Sequence, residues 1–222
     1  MTRTIIVGDV HGCLDELTAL LEKVEYKPHV DQLIFVGDLI NKGPYSLEVL
    51  QFVKPLPAIF IKGNHERAFI KYLKRPRKVI PAFEELKAKM GAELESWRKW
   101  MKAMPLFHET EEYLVVHAGI IPDTPVEEIK AKIITNIRTW DGIGKDLNNP
   151  DDPPWFDLYK GQKLVVFGHW ATMGLVVRDN VIGLDSGCVY GKELSALVLP
   201  ERRIVQVKAK QVYKSIDFKV GF

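Results

Sequence analysis

The stretch TIIVGDVHGC, residues 4–13, runs from apolar β-formers into a Gly-Asp-x-His-Gly turn. A short continuous apolar run ended by glycine predicts a strand buried on both faces. The residues that follow place Leu14, Leu17, Leu21 and Val24 at helical spacing. QLIFVGD (32–38) and PAIFIKGN (57–64) repeat the strand pattern, with SLEVLQFV (46–53) as the helix between them. This βαβαβ rhythm predicts an α/β domain with its strands covered on both sides.

From Phe83 to Met104 apolar residues recur every three or four positions, which predicts one long helix or a pair broken near Gly91. TPVEE (124–128) predicts a helix start, with Thr124 as N-cap, Pro125 in the first position and Glu127 completing a capping box. NNPDDPPW (148–155) reads as a loop, and KLVVFGH, NVIGLDSGC, LSALVL and RIVQVKA read as strands after it. No internal repeat or linker interrupts the 222 residues, so the expectation is one domain, 1–222, with a helical insertion at roughly 70–105.

Composition narrows the function. Lys+Arg of 31 against Asp+Glu of 29 gives a net charge of +2, with no signal for nucleic acid or a membrane surface. No apolar run reaches membrane-spanning length, and MTRT leads into a strand rather than a signal segment, so the expected location is cytoplasmic. Cys13 and Cys188 are the only cysteines, which argues against a disulfide framework or a cysteine-ligated structural zinc. They follow site glycines, and small buried hydrophobes is their expected role.

The ends of the strands carry the chemistry. GDVHG delivers Asp9 and His11, GDLINKG delivers Asp38, GNHE delivers Asn64 and His65, HAG delivers His117 and GH delivers His169. Open α/β sheets assemble sites beyond the carboxyl ends of their strands. Any one of these pieces alone is more often a turn or a core histidine; five in order make coincidence a poor explanation. His29 and His108 fall in polar, loop-like contexts and are expected to be solvated. By donor type, Asp9, His11 and Asp38 would hold one cation. Asp38, Asn64, His117 and His169 would hold a second, with the Asp38 carboxylate shared. Such pairs sit ~3.5–4 Å apart, clamp a phosphoryl group and acidify a water. The mixed nitrogen and oxygen donors suit two divalent ions, Mn first, with Fe, Co, Ni or Zn also compatible.

These five motifs resemble the calcineurin-like metallophosphoesterase superfamily, in its phosphoprotein-phosphatase branch. The resemblance implies a four-layer αββα sandwich of two mixed sheets flanked by helices, with the dimetal site at the strand ends and the same ligand assignment. GDVHGCLDELTALLEKVE, WRKWMKAMPLF, VVHAGIIP, VFGHWA and LDSGC are similar to segments of bacterial symmetrical diadenosine tetraphosphatases, although the chain is shorter than those enzymes between Pro122 and Gly168. The implied activity is hydrolysis of dinucleoside polyphosphates, with His65 as the catalytic acid.

Two positions depart from the pattern. The family's phosphatases carry Asp-Arg after the shared aspartate, where this chain has Asn41-Lys42. Lys42 brings charge to a phosphate without the bidentate fork of an arginine. Arg138 matches a second phosphate-gripping arginine, its structural alternative being an ion pair with Asp141; Asn64 joins the phosphate-facing set. Asn41 can orient His65 but adds no negative charge to support a proton on it. A serine alkoxide needs that proton far more than a nucleotide anion does, so the expectation is a preference for phosphoanhydrides. KYLKRPRK (71–78) reads as a solvated charge run, or as a positive rim for a polyphosphate. Trp97 reads as core; Trp100, Trp140, Trp155, Trp170 and Tyr190 are candidates for stacking on a base, each with packing as the commoner role. A Ser/Thr phosphatase acting on a phosphoprotein is the alternative reading. A non-catalytic phosphate-binding scaffold is disfavoured by the intact ligand set, and a nuclease by Ala171, where a further histidine is usual.

Overall fold

The structure, a computed structural model, describes residues 3–215; Met1 and Thr2, part of the reading of the amino terminus, lie outside them. Strand β1 (Thr4–Val7) pairs in parallel with β2 (Gln32–Phe35), and β2 with β3 (Ala58–Phe60). On the other side of β1, β9 (Glu193–Leu199) is antiparallel and carries β10 (Arg203–Lys208), giving the order β10-β9-β1-β2-β3. A second sheet has the order β4-β5-β6-β8-β7, from β4 (Phe107–Glu109), β5 (Tyr113–Val116), β6 (Leu164–Phe167), β7 (Val176–Val177) and β8 (Val181–Gly183). Within it β5, β6 and β8 are parallel.

Period-two alternation sorts each strand between two cores. Ile6, Ile34, Val115, Val166, Ile182 and Leu197 fill the layer between the sheets. Ile5 and Val7 turn outward instead and meet Leu17 of α1 (Leu14–Lys23), Val49 of α2 (Ser46–Val53) and Phe69 of α3 (Asn64–Lys74). Phe83 of α4 (Pro81–Met90) and Trp97 of α5 (Leu94–Ala103) join that core; these two helices are the pair expected around Gly91, which has a positive φ of 50°.

The outer layer of the second sheet is thinner than the expected helical one. It consists of two one-turn helices, α6 (Ala131–Ile134) and α7 (Trp155–Leu158), with turns and extended chain around a buried Trp155. Five prolines between 122 and 154 remove helix donors there. The helix expected from Thr124 is only a 3-10 turn, Val126–Glu128: Thr124 makes no cap, its hydroxyl lies against Pro122 O, and Ile129 returns to extended backbone. His108, expected in a solvated loop, is half-buried on β4, and its Nε2 has no hydrogen-bond partner.

Parallel pairing positions the site. Because β1, β2 and β3 point one way, Asp9, Asp38 and Asn64 emerge at one edge of the first sheet. His117, His169 and Asp185 leave β5, β6 and β8 in the same manner on the second.

Candidate active site

The two edges meet at Asp38. Its Oδ2 lies 3.6 Å from His11 Nε2, 3.8 Å from His65 Nε2 and 3.4 Å from His117 Nε2. Its Oδ1 accepts the backbone N–H of His65 at 2.9 Å. On the far side, Asn64 Oδ1 lies 2.9 Å from His117 Nε2 and 3.1 Å from His169 Nδ1. Two sets of donor groups therefore share one carboxylate: His11, Asp38 and His65, and Asp38, His117 and His169. Asp9 belongs to neither set; it is buried, and its two oxygens accept the His169 backbone N–H at 3.0 and 3.1 Å.

Sharp turns make this convergence. His11, Asp38, Asn41, Lys42 and His169 all have positive φ, from 47° to 73°. Non-glycine residues held there are costly and gather where a side chain must be aimed. The β1 and β2 turns are laced together by His11 N–H to Asp38 O at 2.8 Å and Gly12 N–H to Leu39 O at 2.9 Å. At Gly168 any Cβ would collide with the Asp9 carboxylate, so the approach of β6 to β1 requires glycine.

The donor set fits metal ions. His11 Nδ1–H donates to Ile40 O at 3.1 Å and His117 Nδ1–H to Val36 O at 2.9 Å, which turns both Nε2 atoms toward Asp38. Metal-binding imidazoles are fixed in this way by a carbonyl behind them. The charges agree. Burial opposes it, but His117, His65 and His11 hold the Asp38 carboxyl well below its usual range. Burial likewise opposes the His117 imidazolium, yet Asp38, Asp9 and Glu66 push it up to about 9. Burial, with Lys42 for His11 and His117 for His169, pushes those two rings well down, and burial with Asp185 pushes Asp9 well up. A positive charge in this crevice offsets buried acids, and divalent cations supply it without a proton.

Asn41 is the partner of the His65 ring. Asn41 Oδ1 accepts the Lys42 backbone N–H at 2.8 Å, which leaves Asn41 Nδ2 facing His65 Nδ1 at 2.7 Å. The amide donates to the ring, so the ring proton sits on Nε2, toward Asp38. Burial, with Lys42 and His117, lowers His65 to about 4 despite Asp38.

Lys42 points inward, its Nζ 2.9 Å from His11 Nε2 and 5.3 Å from the centre of the Tyr190 ring. Arg138 is half-buried; Nη1 donates to Asn148 Oδ1 at 2.9 Å and Nε has no partner. The ion pair considered for it does not form, because the Asp141 carboxylate caps the N–H groups of Ile143, Gly144 and Lys145. Arg138 instead feels Asp185 and Tyr190, which oppose the lowering that burial imposes on it. Among the stacking candidates, Trp155 is wholly buried and unavailable to a base; Trp100, Trp140, Trp170 and Tyr190 are partly buried. The basic residues of 71–78 are exposed, as a solvated charge run is.

Two residues at the site went unremarked in the sequence reading. The Glu66 carboxylate accepts the N–H groups of Asp38, Leu39 and Gly63 at 3.0, 2.9 and 2.9 Å, so it ties the β2 and β3 turns together. The GNHE motif itself was the signal for it. Asp185 is buried with Oδ2 unpartnered, and LDSGC at a strand end was its signal.

Calcineurin-like phosphoesterases match residues 2–202. This chain belongs to that family. A symmetrical bis(5'-nucleosyl)-tetraphosphatase of Aliivibrio fischeri is 32% identical, covering 93% of this chain and 98% of the relative. Its alignment spans 272 positions against the 222 residues here, so the relative carries additional segments. An asymmetrical bis(5'-nucleosyl)-tetraphosphatase of Halalkalibacterium halodurans is also 32% identical, over 96% of this chain and 97% of its own. A solved structure assigned as a candidate diadenosine tetraphosphatase superimposes with a TM-score of 0.83 at 34% identity, covering 94% of each chain. This phosphoesterase is therefore a hydrolase with the two-sheet architecture of its relatives.

Proposed function

We propose that this phosphoesterase hydrolyses dinucleoside polyphosphates symmetrically, yielding two ADP from diadenosine tetraphosphate. The observation that carries the choice of substrate is the hydrogen bond from Asn41 Nδ2 to His65 Nδ1. A second proton on that ring nitrogen would break the bond, so the ring is kept neutral and is a weak acid. A nucleoside diphosphate leaves as a stable anion without strong acid assistance, whereas a serine alkoxide does not. The names of the relatives at about a third identity support the same substrate class.

In this reading Asp9, His11 and Asp38 hold one divalent cation, and Asp38, Asn64, His117 and His169 hold the other. When bound, the pair neutralises the phosphoryl oxygens and acidifies the attacking water; Mn2+ is our first choice of ion. Lys42 and Arg138 bring positive charge to the polyphosphate chain. His65 Nε2–H faces the departing oxygen. The chain acts as one domain, with the helices of 70–105 as an insertion beside the site.

Incubation of the protein with Mn2+ and diadenosine tetraphosphate, beside a phosphoserine peptide, tests this by ion-exchange chromatography of the products. ADP as the sole nucleotide, formed much faster than phosphate leaves the peptide, is the expected result. AMP with ATP would replace the symmetrical cleavage by an asymmetrical one. Rapid dephosphorylation of the peptide with the dinucleotide intact would overturn the argument from Asn41.

A further inference from the structure

Behind the active-site turns lies a second group of ligand-type side chains. Cys13 precedes α1, Glu16 sits in its first turn, and Cys188 opens the 3-10 turn Cys188–Tyr190. All three are buried, at 1%, 1% and 2% exposure. The Cys-x-x-Glu spacing puts the first two side chains on one face of the helix start. One ligand atom from each residue lies within 4.8 Å of the others.

The Glu16 carboxylate is half satisfied. Oε1 accepts the Lys210 backbone N–H at 2.9 Å and the Tyr213 hydroxyl at 2.7 Å. Oε2 is buried and has no hydrogen-bond partner, and one oxygen of the same carboxylate lies within 4.8 Å of both sulfurs. A buried carboxylate oxygen left without a donor calls for an ion or a water. Two sulfurs grouped with this carboxylate favour a soft ion over the hard cations that nitrogen and oxygen donors accept.

We infer that Cys13, Glu16 and Cys188 form a binding site for one thiophilic divalent cation, Zn2+ or Cd2+, separate from the site around Asp38. Zinc–sulfur bonds of about 2.3 Å and zinc–oxygen bonds of about 2.0–2.2 Å place tetrahedral ligand atoms about 3.5–3.8 Å apart. Both thiols lose their protons as the ion binds. A cation here joins the first turn of α1 to the 188–190 turn that carries Tyr190, and, through Glu16, to the segment of Lys210 and Tyr213.

The test uses the full chain, reduced by a phosphine and loaded beforehand with Mn2+, and titrates it with Cd2+ while recording ultraviolet absorption. Thiolate ligation produces a sulfur-to-cadmium charge-transfer band that histidine and carboxylate ligands do not. The expected result is a band saturating at one equivalent, lost in both Cys13→Ser and Cys188→Ser. Glu16→Gln, which keeps an acceptor for Lys210 and Tyr213, should retain the band and weaken Cd2+ binding by about tenfold. Should a serine variant fail to fold, as read by circular dichroism, the alanine variant takes its place. No band in the reduced wild-type protein, or one that survives loss of either cysteine, would overturn the assignment. So would a Cys13–Cys188 disulfide as the only chemistry of the pair.

Discussion

At Asn41 a single atom decides what the neighbouring histidine can do. The amide takes one hydrogen bond from the Lys42 backbone and gives one to His65, at 2.8 and 2.7 Å. Asn41→Asp replaces that donor by an acceptor, so the ring can carry protons on both nitrogens. Activity on a phosphoserine peptide should then rise relative to diadenosine tetraphosphate, read as the ratio of kcat/KM values; an unchanged ratio refutes the argument. Arg138 is a second test, since its Nε is buried and unpartnered and its charge is favoured by Asp185 and Tyr190. Arg138→Ala should lower kcat/KM for the dinucleotide about 10- to 100-fold, the range for a lost charged hydrogen bond. Arg138→Lys should restore only part of that, because lysine lacks the fork. A change of less than twofold in the alanine variant would remove Arg138 from the site.

Between residue and fold stand the elements, and here sequence and structure agree unevenly. Strands ending in Gly-Asp or Gly-Asn-His were legible because their apolar runs and their terminal ligands are both local signals. The break at Gly91 was legible for the same reason. The layer over the second sheet was not, because a proline-rich stretch fixes no period and is held by tertiary packing alone. Its anchor, Trp155, reads as the end of a loop, yet it is wholly buried, and its Nε1 donates to Ala118 O at 3.1 Å. That bond secures the turn just after His117. Asp185 and Glu66 were hidden differently: each acts on groups distant in sequence. Trp155→Ala should cost about 3–5 kcal/mol in urea unfolding, the usual range for a large buried aromatic. A loss below about 1 kcal/mol, the scale of a surface change, would show that the layer holds without it.

For the molecule as a whole, the crivice between the sheets concentrates acids and imidazoles that a near-neutral surface would not suggest from the net charge of +2. Among the described residues no helix is long and apolar enough to cross a membrane. Cations that bind the native site and not the unfolded chain stabilise it by mass action. Mn2+ at a hundredfold excess over its dissociation constant should add about 2.7 kcal/mol to unfolding. Asp38→Asn, which removes the shared charge, should lose most of that gain together with hydrolysis; an equal gain in the variant would place the ions elsewhere. The most direct measurement is the electron paramagnetic resonance spectrum of the Mn2+-loaded protein, recorded beside the Asp38→Asn variant. If Asp38 joins two ions, the wild-type spectrum shows an exchange-coupled pair and the variant does not. A spectrum of isolated Mn2+ in both proteins would contradict the two-cation site.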